Sequence, residues 1–322
     1  MSGSVVITGG CGFLGAALAE RIAENGLTLP DGQRLTTPQI HLWDRPNTTV
    51  PVLPNATFNA LDIADADAVL AAMPADVAVI YHLAAVVSGQ AEQDYDLGMR
   101  VNLGGTNAVL AAAKAVRPDV PVIGTSSLAV YGGNPAEPLS EDTQIQPQNT
   151  YGVTKAMAEL VMADYRRRGW ADARTLRLPT ITVRPGRPNA AASSFASSII
   201  REPLGGIPAV CPVDPDMTLW IASPDAAVRA LLHAPCVARD DWPAFGAVNV
   251  PGLQMQVRAM IAALRARAGD GTADLIEMKP DQDIIDIVGT WPTLFDTALA
   301  QSLGFVGDAG FDAILDQAFL MK

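Results

Sequence analysis

The chain has 322 residues, of which 49% are hydrophobic and 17% charged, so it can bury a sizeable core. Its formal net charge of −12 disfavours binding to nucleic acid or to an anionic membrane surface. The three cysteines and three histidines are scattered without metal-ligand or paired spacing, which argues against a metal centre and is typical of a reducing compartment. The first strand begins within four residues of the start, and no apolar run approaches the ~20 residues of a membrane span, so we expect a cytoplasmic protein.

The first element is an apolar strand followed by a glycine turn and a helix. The strand, Ser4 to Ile7, leads directly into the sequence TGGCGFLG at residues 8–15. Gly9 and Gly12 allow a tight turn and close approach of a pyrophosphate, while Gly15 lets the helix pack close to the strand. The helix N-terminus then favours phosphate through its unpaired N–H groups and its dipole. This order of elements predicts a dinucleotide-binding site.

The second long strand ends in an acidic residue. A turn-rich stretch at residues 26–38 predicts a surface insertion before this strand. Asp44, at the strand end, is then expected to accept hydrogen bonds from the adenosine ribose. Because a carboxylate repels a 2′-phosphate, Asp44 favours NAD over NADP, although the adjacent Arg45 softens that preference.

Two further strands lead towards the same edge of the sheet. Asp62 follows the strand predicted at residues 57–61 and is a candidate adenine contact. The nearly continuous apolar run at residues 77–85 indicates a strand covered by helices on both faces. It ends in small residues, including Ala84, which leave room for a ligand.

The central part of the chain continues the alternation of strands and helices. A helix predicted at residues 95–116 contains Asn102, and a strand at residues 120–125 delivers Ser127. The next helix begins near residue 151, with Asn149 or Thr150 as its cap.

The alternation stops after the strand predicted at residues 173–178. A Pro/Ser/Arg-rich segment follows at residues 179–208, and helices are predicted near residues 254–268 and 293–303. We therefore predict an α/β fold, a doubly wound parallel Rossmann sheet with a smaller C-terminal substrate lobe. The NAD-binding domain with the catalytic residues spans 1–178, and residues 179–322 form mainly the substrate lobe, with some elements returning to the sheet.

The spacing of Tyr151 and Lys155 places a phenol and an ammonium on one face of a helix. A lysine cation and an oxidised nicotinamide both favour the phenolate of a nearby tyrosine. Tyr151 can then accept a proton from a substrate hydroxyl as its carbon loses a hydride. Lys155 can bond the nicotinamide ribose, and Ser127 can hold the reacting oxygen.

As a set, these motifs resemble the extended short-chain dehydrogenase/reductases of the NAD-dependent epimerase/dehydratase type over roughly residues 4–185. The resemblance is carried by TGGCGFLG at 8–15, Asp62-Ile63, HLAA at 82–85, VNLGGT at 101–106, SSLAVYG at 126–132 and YGVTK at 151–155.

The family resemblance implies a catalytic triad of Ser127, Tyr151 and Lys155. It implies NAD as the cofactor, Asn102 as a helix-bending support, and Leu83 and Pro179 as walls of the nicotinamide pocket. The cofactor-binding residues are then expected to be Gly9, Gly12, Phe13, Leu14, Gly15, Asp44, Asp62, Ile63, Leu83, Ala84, Asn102, Tyr151, Lys155 and Pro179. It also suggests a homodimer formed through the helices at 95–116 and 151–169.

Two stretches distinguish branches of the family. Sugar-nucleotide dehydratases carry an Asp-Glu pair where this chain has Leu128-Ala129, so dehydration is disfavoured. Residues 177–195 resemble the same stretch of the D-erythronate dehydrogenase branch, which oxidises a four-carbon sugar acid at C2. An arginine in this stretch could bind a carboxylate in bidentate fashion, with Arg184 as the first choice and Arg187 as the second.

The remaining substrate-binding candidates are Ser88 and Thr180, together with Ser127 and Tyr151. A serine similar to Ser88 occurs in the L-threonine dehydrogenases of the same family. We therefore expect an NAD-dependent dehydrogenase that converts a small sugar acid, with D-erythronate as the first candidate, to a 2-oxo acid such as 2-oxo-tetronate. A nucleotide-sugar epimerase, an L-threonine dehydrogenase and, more remotely, a non-catalytic NAD-sensing regulator remain as alternatives.

Overall fold

A computed structural model describes residues 3–29, 31–186, 188 and 190–320. The strands are β1 Ser4–Thr8, β2 Leu27–Thr28, β3 Arg34–Leu35, β4 Gln39–Asp44, β5 Ala56–Ala60, β6 Val77–His82, β7 Pro121–Ser127, β8 Asp172–Leu178, β9 Thr180–Ile181, β10 Ala209–Cys211, β11 Thr218–Ala222, β12 Ala247–Asn249, β13 Leu253–Gln256 and β14 Ile276–Met278. The helices are α1 Phe13–Asn25, α2 Ala66–Ala72, α3 Ser88–Gln93, α4 Tyr95–Gly98, α5 Gly105–Val116, α6 Thr150–Arg167, α7 Phe195–Leu204, α8 Pro224–His233, α9 Val257–Ala268, α10 Asp270–Ala273, α11 Gln282–Val288, α12 Ala298–Ser302 and α13 Phe311–Leu320. Among these helices, none combines the length and the apolar character needed to cross a membrane.

The main sheet has seven parallel strands in the order β12-β8-β7-β6-β1-β4-β5. The chain builds outward from β1 through β4 to β5, and then returns to place β6 on the other side of β1. Strand order therefore reverses between β1 and β6, and the crevice beyond their carboxyl ends is where such sheets bind ligands. The predicted doubly wound α/β fold is confirmed.

Both faces of this sheet are covered. In β1, Val5 and Ile7 pack in one hydrophobic cluster with Leu18 of α1, whereas Val6 packs in another cluster with Val109 of α5. Successive side chains of a strand point to opposite faces, so the unbroken apolar run of β1 follows from burial on two sides.

The predicted insertion at residues 26–38 folds as a small antiparallel hairpin of β2 and β3. Leu27 and Leu35 are only 3% and 2% exposed and join the cluster on one face of the sheet. These two leucines therefore anchor the hairpin to the sheet. The turn-rich composition of residues 26–38 gave no sign of this buried contact.

The C-terminal part supplies both a separate small sheet and one strand of the main sheet. Strand β11 pairs in parallel with β9 and antiparallel with β13, while β12 pairs in parallel with β8. Helix α8 packs against α1. Strand β12 and helix α8 therefore contact elements of residues 1–178, while the division into two domains stays a prediction.

Several predicted helix bounds differ from the structure. The helix predicted at 95–116 is divided into α4, a π-helical turn at Met99–Gly104 and α5. Residues 253–256 form β13, so the helix predicted from 254 begins at Val257. The helix predicted at 293–303 is reduced to α12, and the segment 179–208 contains α7, which the sequence analysis did not predict.

Candidate active site

The glycine turn lies at the carboxyl end of β1, where space is very limited. Gly9 has a φ of +66°, and a Cβ there would lie 2.9 Å from the Ala84 nitrogen. A Cβ on Gly15 would lie 2.3 Å from the Gly9 oxygen. Only glycine fits either position. The approach of a pyrophosphate to Gly9 stays a prediction, since the neighbour of Gly9 in the structure is the backbone after β6.

Helix α1 begins beside this turn with Gly12 at its N-cap. Glycine has no side chain with which to cap the helix, and Gly12 is exposed, so the first N–H groups, those of Phe13 and Leu14 included, are open to an anionic ligand. The turn and the helix start thus form a cradle that fits a pyrophosphate.

Two carboxylates lie at the strand ends expected to meet the adenosine. Asp44 accepts hydrogen bonds from the backbone nitrogens of Cys11 and Arg45 at 3.0 and 2.8 Å, so it is oriented next to the glycine turn. Asp62 accepts from Ala64 N and pairs with Arg100 at 2.6 Å, and both contacts lower its pKa. Ile63 follows it and packs under the first turn of α5.

A buried hydrogen-bond network joins the ends of β1 and β6. Thr8 Oγ1 accepts from the backbone nitrogens of Leu83 and Ala84, both at 3.1 Å, and therefore donates to His82 Nδ1 at 2.9 Å. Thr106 Oγ1 donates to the backbone carbonyl oxygen of Asn102 at 2.6 Å and therefore accepts from His82 Nε2 at 3.0 Å. The network assigns a neutral His82 protonated on Nε2, in agreement with burial, which lowers the pKa of His82 to about 3.

Asn102 occupies the π-helical turn and is 2% exposed. Its Oδ1 accepts from Val86 N at 2.7 Å, and its Nδ2 donates to Val86 O at 3.1 Å and to Thr154 Oγ1 at 3.0 Å. Asn102 therefore ties the segment after β6 to helix α6. Its expected role as a helix-bending support agrees with the position of the π-helical turn.

Ser127 and Tyr151 are brought together by two different elements. Ser127 ends β7, and Tyr151 lies in the first turn of α6, whose N-cap Asn149 accepts from Gly152 N at 2.8 Å. Gly152 is required here because a Cβ would lie 2.2 Å from the Ala129 oxygen. Burial raises the pKa of Tyr151, while the positive charge of Arg184 and a hydrogen bond with Ser127 lower it.

Lys155 lies one turn after Tyr151 and is 7% exposed. Its Nζ donates to the Thr125 oxygen at 2.8 Å and lies 5.8 Å from the centre of the Tyr151 ring. Burial lowers the pKa of Lys155 to about 8, and the carboxylate of Glu159, one turn further on, opposes this fall. Glu159 is itself paired with the buried Arg177 at 2.7 Å.

Arg184 reaches the same place from the segment after β9. Its guanidinium lies 5.6 Å from the centre of the Phe13 ring at the start of α1, and its charge lowers the pKa of Tyr151. Burial lowers the pKa of Arg184, and the nearby Tyr151 raises it. Arg184 therefore acts on the phenol in addition to Lys155, and the role of Lys155 towards Tyr151 stays a prediction.

The other candidates differ in accessibility. Leu83 and Ala84 are partly exposed at the end of β6, and Pro179 and Thr180 are buried at the start of β9. Ser88 is 5% exposed, and its Oγ accepts from Ala192 N at 3.1 Å, which links it to the residues after Arg184. Arg187, the second candidate for the carboxylate, lies outside the described residues.

Three residues near Arg184 were missed by the sequence analysis. Ser193, Ser197 and Arg201 all contact Arg184 from the face of α7 and the turn before it. Their spacing of four residues is the signal that could have indicated a helix with a polar face.

Comparison with known proteins agrees with this arrangement. The sequence profile of the NAD dependent epimerase/dehydratase family matches residues 5–220. A D-erythronate dehydrogenase from Cupriavidus necator is 45% identical over 315 residues, covering 97% of this chain and 96% of that protein. A D-erythronate dehydrogenase from Haemophilus influenzae is 38% identical over 321 residues, covering 97% and 98%. The crystal structure of a nucleoside-diphosphate-sugar epimerase from Agrobacterium tumefaciens has a TM-score of 0.87 and 35% identity, covering 98% of this chain and 93% of that one.

The chain therefore belongs to the NAD-dependent epimerase/dehydratase family of extended short-chain dehydrogenase/reductases. Within that family it is an oxidoreductase that acts on CH–OH groups with a nicotinamide cofactor. The glycine cradle, the open start of α1 and the oriented Asp44 fit such a dinucleotide.

Proposed function

We propose that this enzyme uses NAD to oxidise the C2 hydroxyl of a small sugar acid, with D-erythronate, converted to 2-oxo-tetronate, as the first candidate. The observation that carries this proposal is the place of Arg184, whose guanidinium lies 5.6 Å from the centre of the Phe13 ring at the start of α1 and whose charge lowers the pKa of Tyr151. An arginine can bind a carboxylate through two parallel hydrogen bonds. A carboxylate held by Arg184 brings the adjacent carbon and its hydroxyl to the phenol of Tyr151.

The proposed residues then have distinct tasks. Ser127 and Tyr151 both hydrogen-bond the C2 hydroxyl, and Tyr151 in its phenolate form takes the hydroxyl proton. The bound nicotinamide supplies the acceptor for the hydride that leaves C2. Lys155, fixed by the Thr125 oxygen, presents its remaining N–H groups to the cofactor ribose. The products are a 2-oxo acid, NADH and one proton.

NAD is the proposed dinucleotide because of Asp44. Its carboxylate is fixed by Cys11 N and Arg45 N at the end of β4, where it would face the adenosine ribose. A 2′-phosphate at that place would meet this negative charge. We therefore expect NAD to be used in preference to NADP.

The alternative substrates make different demands on the site. The α-ammonium of L-threonine needs a negative partner, yet among the described residues that contact Arg184 or Tyr151 none is acidic. An epimerase would keep its cofactor bound and release no NADH. A regulator without chemistry has no need of both Tyr151 and Lys155.

The test is NADH absorbance with NAD or NADP and a panel of D-erythronate, L-threonate, D-glycerate, L-threonine and UDP-sugars. We expect NADH to form with NAD and a four-carbon sugar acid.

In the variant Tyr151→Phe, turnover should fall by about 100-fold or more while NADH binding persists. In Arg184→Met, the KM for the acid should rise by about 10- to 100-fold.

Other results would contradict the proposal. Interconversion of a UDP-sugar without net NADH would indicate an epimerase, and turnover of L-threonine alone would indicate an amino-acid dehydrogenase. Normal turnover by Tyr151→Phe would remove that residue from the reaction.

A further inference from the structure

Arg184 lies against a polar face of α7 and of the short 3₁₀ turn, Ala192–Ser194, that precedes it. The residues of this face that contact Arg184 are Ser193, Ser197 and Arg201. Because they are four residues apart, they line one side of the helix. The serines are 4% and 1% exposed, so the contacts are buried.

The backbone of Arg184 is held at both of its polar groups. Its N–H donates to Ser197 Oγ at 3.0 Å, and its carbonyl oxygen accepts from Arg201 Nη1 at 2.7 Å. The Ser197 hydroxyl in turn donates to Thr182 Oγ1 at 3.4 Å. Side chains of α7 therefore fix where the Arg184 side chain begins.

The side chain of Arg184 is held as well, but only in part. Its Nε donates to the Ile181 oxygen at 2.9 Å, and its Nη2 donates to Ser193 Oγ at 3.3 Å. No hydrogen bond to Nη1 is formed by the residues that the structure describes. A guanidinium has five N–H donors, so Nη1 and the second N–H of Nη2 are available to one carboxylate.

The charges around Arg184 suit a ligand with a single negative charge. Arg201 is paired with Glu202 at 2.5 Å, so this face of α7 adds no unpaired cation, although the charge of Arg201 still lowers the pKa of Arg184. A monocarboxylate matches one free guanidinium. A nucleotide diphosphate, with at least two negative charges, does not.

We propose that Ser193, Ser197 and Arg201 are positioning residues that hold Arg184 ready to bind the single carboxylate of the substrate beside Tyr151, and so select monocarboxylates. This inference rests on the proposed function. Its physical basis is preorganisation: a mobile arginine side chain loses rotamer freedom when it is ordered. Here the fold has already ordered Arg184, so the loss does not weaken substrate binding.

The experiment compares Ser197→Ala, Arg201→Met and Arg201→Lys with Ser302→Ala as the matched control. Ser302 is exposed on α12, and its hydroxyl donates to the Leu299 oxygen of the same helix, so its removal leaves the contacts of Arg184 and Arg201 in place. Each variant is assayed with the sugar acid and with its uncharged amide.

We expect the KM for the acid to rise about 3- to 10-fold in Ser197→Ala and about 10-fold in Arg201→Met, with kcat within about twofold. Arg201→Lys, which keeps a donor and a charge, should recover part of the loss. The KM for the amide should not change in any variant, and Ser302→Ala should behave as the wild type. In an Arg184→Met background, Ser197→Ala should have no further effect.

The outcomes separate the inference from the proposed function. If the wild type oxidises no carboxylic acid, both are wrong. If Arg184→Met raises the KM for the acid but the α7 variants do not, the proposed function stands and the positioning role is wrong. If the α7 variants affect acid and amide equally, or lower NADH affinity and melting temperature together with kcat, their role is structural and the inference is overturned.

Discussion

At the scale of single residues, the site depends on charges held in a largely buried setting. Burial raises the pKa of Tyr151, so the phenol resists ionisation until positive charge offsets the burial. Arg184 supplies such charge in the free protein, and an oxidised nicotinamide adds another. A substrate carboxylate bound to Arg184 would offset the positive charge of Arg184. The charge of the nicotinamide would then be the main one that lowers the pKa of Tyr151 when substrate is present.

His82 allows a prediction on stability against pH. Burial lowers the pKa of His82 from the ordinary 6.5 to about 3. Between these two values His82 binds a proton in the unfolded chain but not in the folded chain. The free energy of unfolding therefore falls as the pH drops from 6.5 towards 3. We expect the free energy of unfolding of wild type, from urea titrations, to fall by about 2 kcal/mol more than that of His82→Gln between about pH 7 and about pH 5. Equal losses in the two proteins would show that His82 titrates normally.

At the scale of elements, the connection from β1 to α1 both folds back on itself and packs against the end of β6. The turn requires glycine where its own backbone folds back, as at Gly15, and where β6 passes beside it, as at Gly9. The network from Thr8 through His82 then holds the end of β6 against the same turn. The cofactor cradle is therefore built from two strands that are neighbours only in the folded sheet.

The prediction at this scale concerns Gly15→Ala. The new methyl group would lie 2.3 Å from the Gly9 oxygen, which is backbone and cannot move without opening the turn. We expect the affinity for NADH, measured by fluorescence titration, to fall by about tenfold or more. Gly271→Ala is the control, because a Cβ there has no neighbour within 4 Å. Wild-type NADH affinity in Gly15→Ala would mean that the turn adjusts without cost.

At the scale of the whole molecule, helix α6 carries two exposed apolar residues on its outer side. Val153 and Leu160 are 36% and 52% exposed, and they are seven residues apart, which places them on one stripe of the helix. Such a stripe supports the predicted homodimer through this helix. In a dimer formed through Val153 and Leu160, Tyr151 and Lys155 of each copy would still face the sheet of their own copy.

Light scattering of the purified protein tests the dimer. We expect a dimer for the wild type and a monomer for Leu160→Asp, since a buried unpaired carboxylate would destabilise the interface by several kcal/mol. Leu70→Asp on α2, where Leu70 is 46% exposed, should leave the mass unchanged. A monomeric wild type would show that the stripe faces solvent.

The alternation of apolar runs and the glycine turn determined the doubly wound sheet, because a parallel sheet covered on both faces needs strands such as β1 and β6, which are buried along their whole length and mostly apolar. The spacing of Tyr151 and Lys155 likewise determined that they share a helix face, since that geometry is local. Only the tertiary structure decided the contact of Arg184 with Phe13, the π-helical turn at Asn102 and the anchoring of Arg184 by α7. These features join residues from distant parts of the chain, and local pattern carries no information on how the small lobe packs against the sheet.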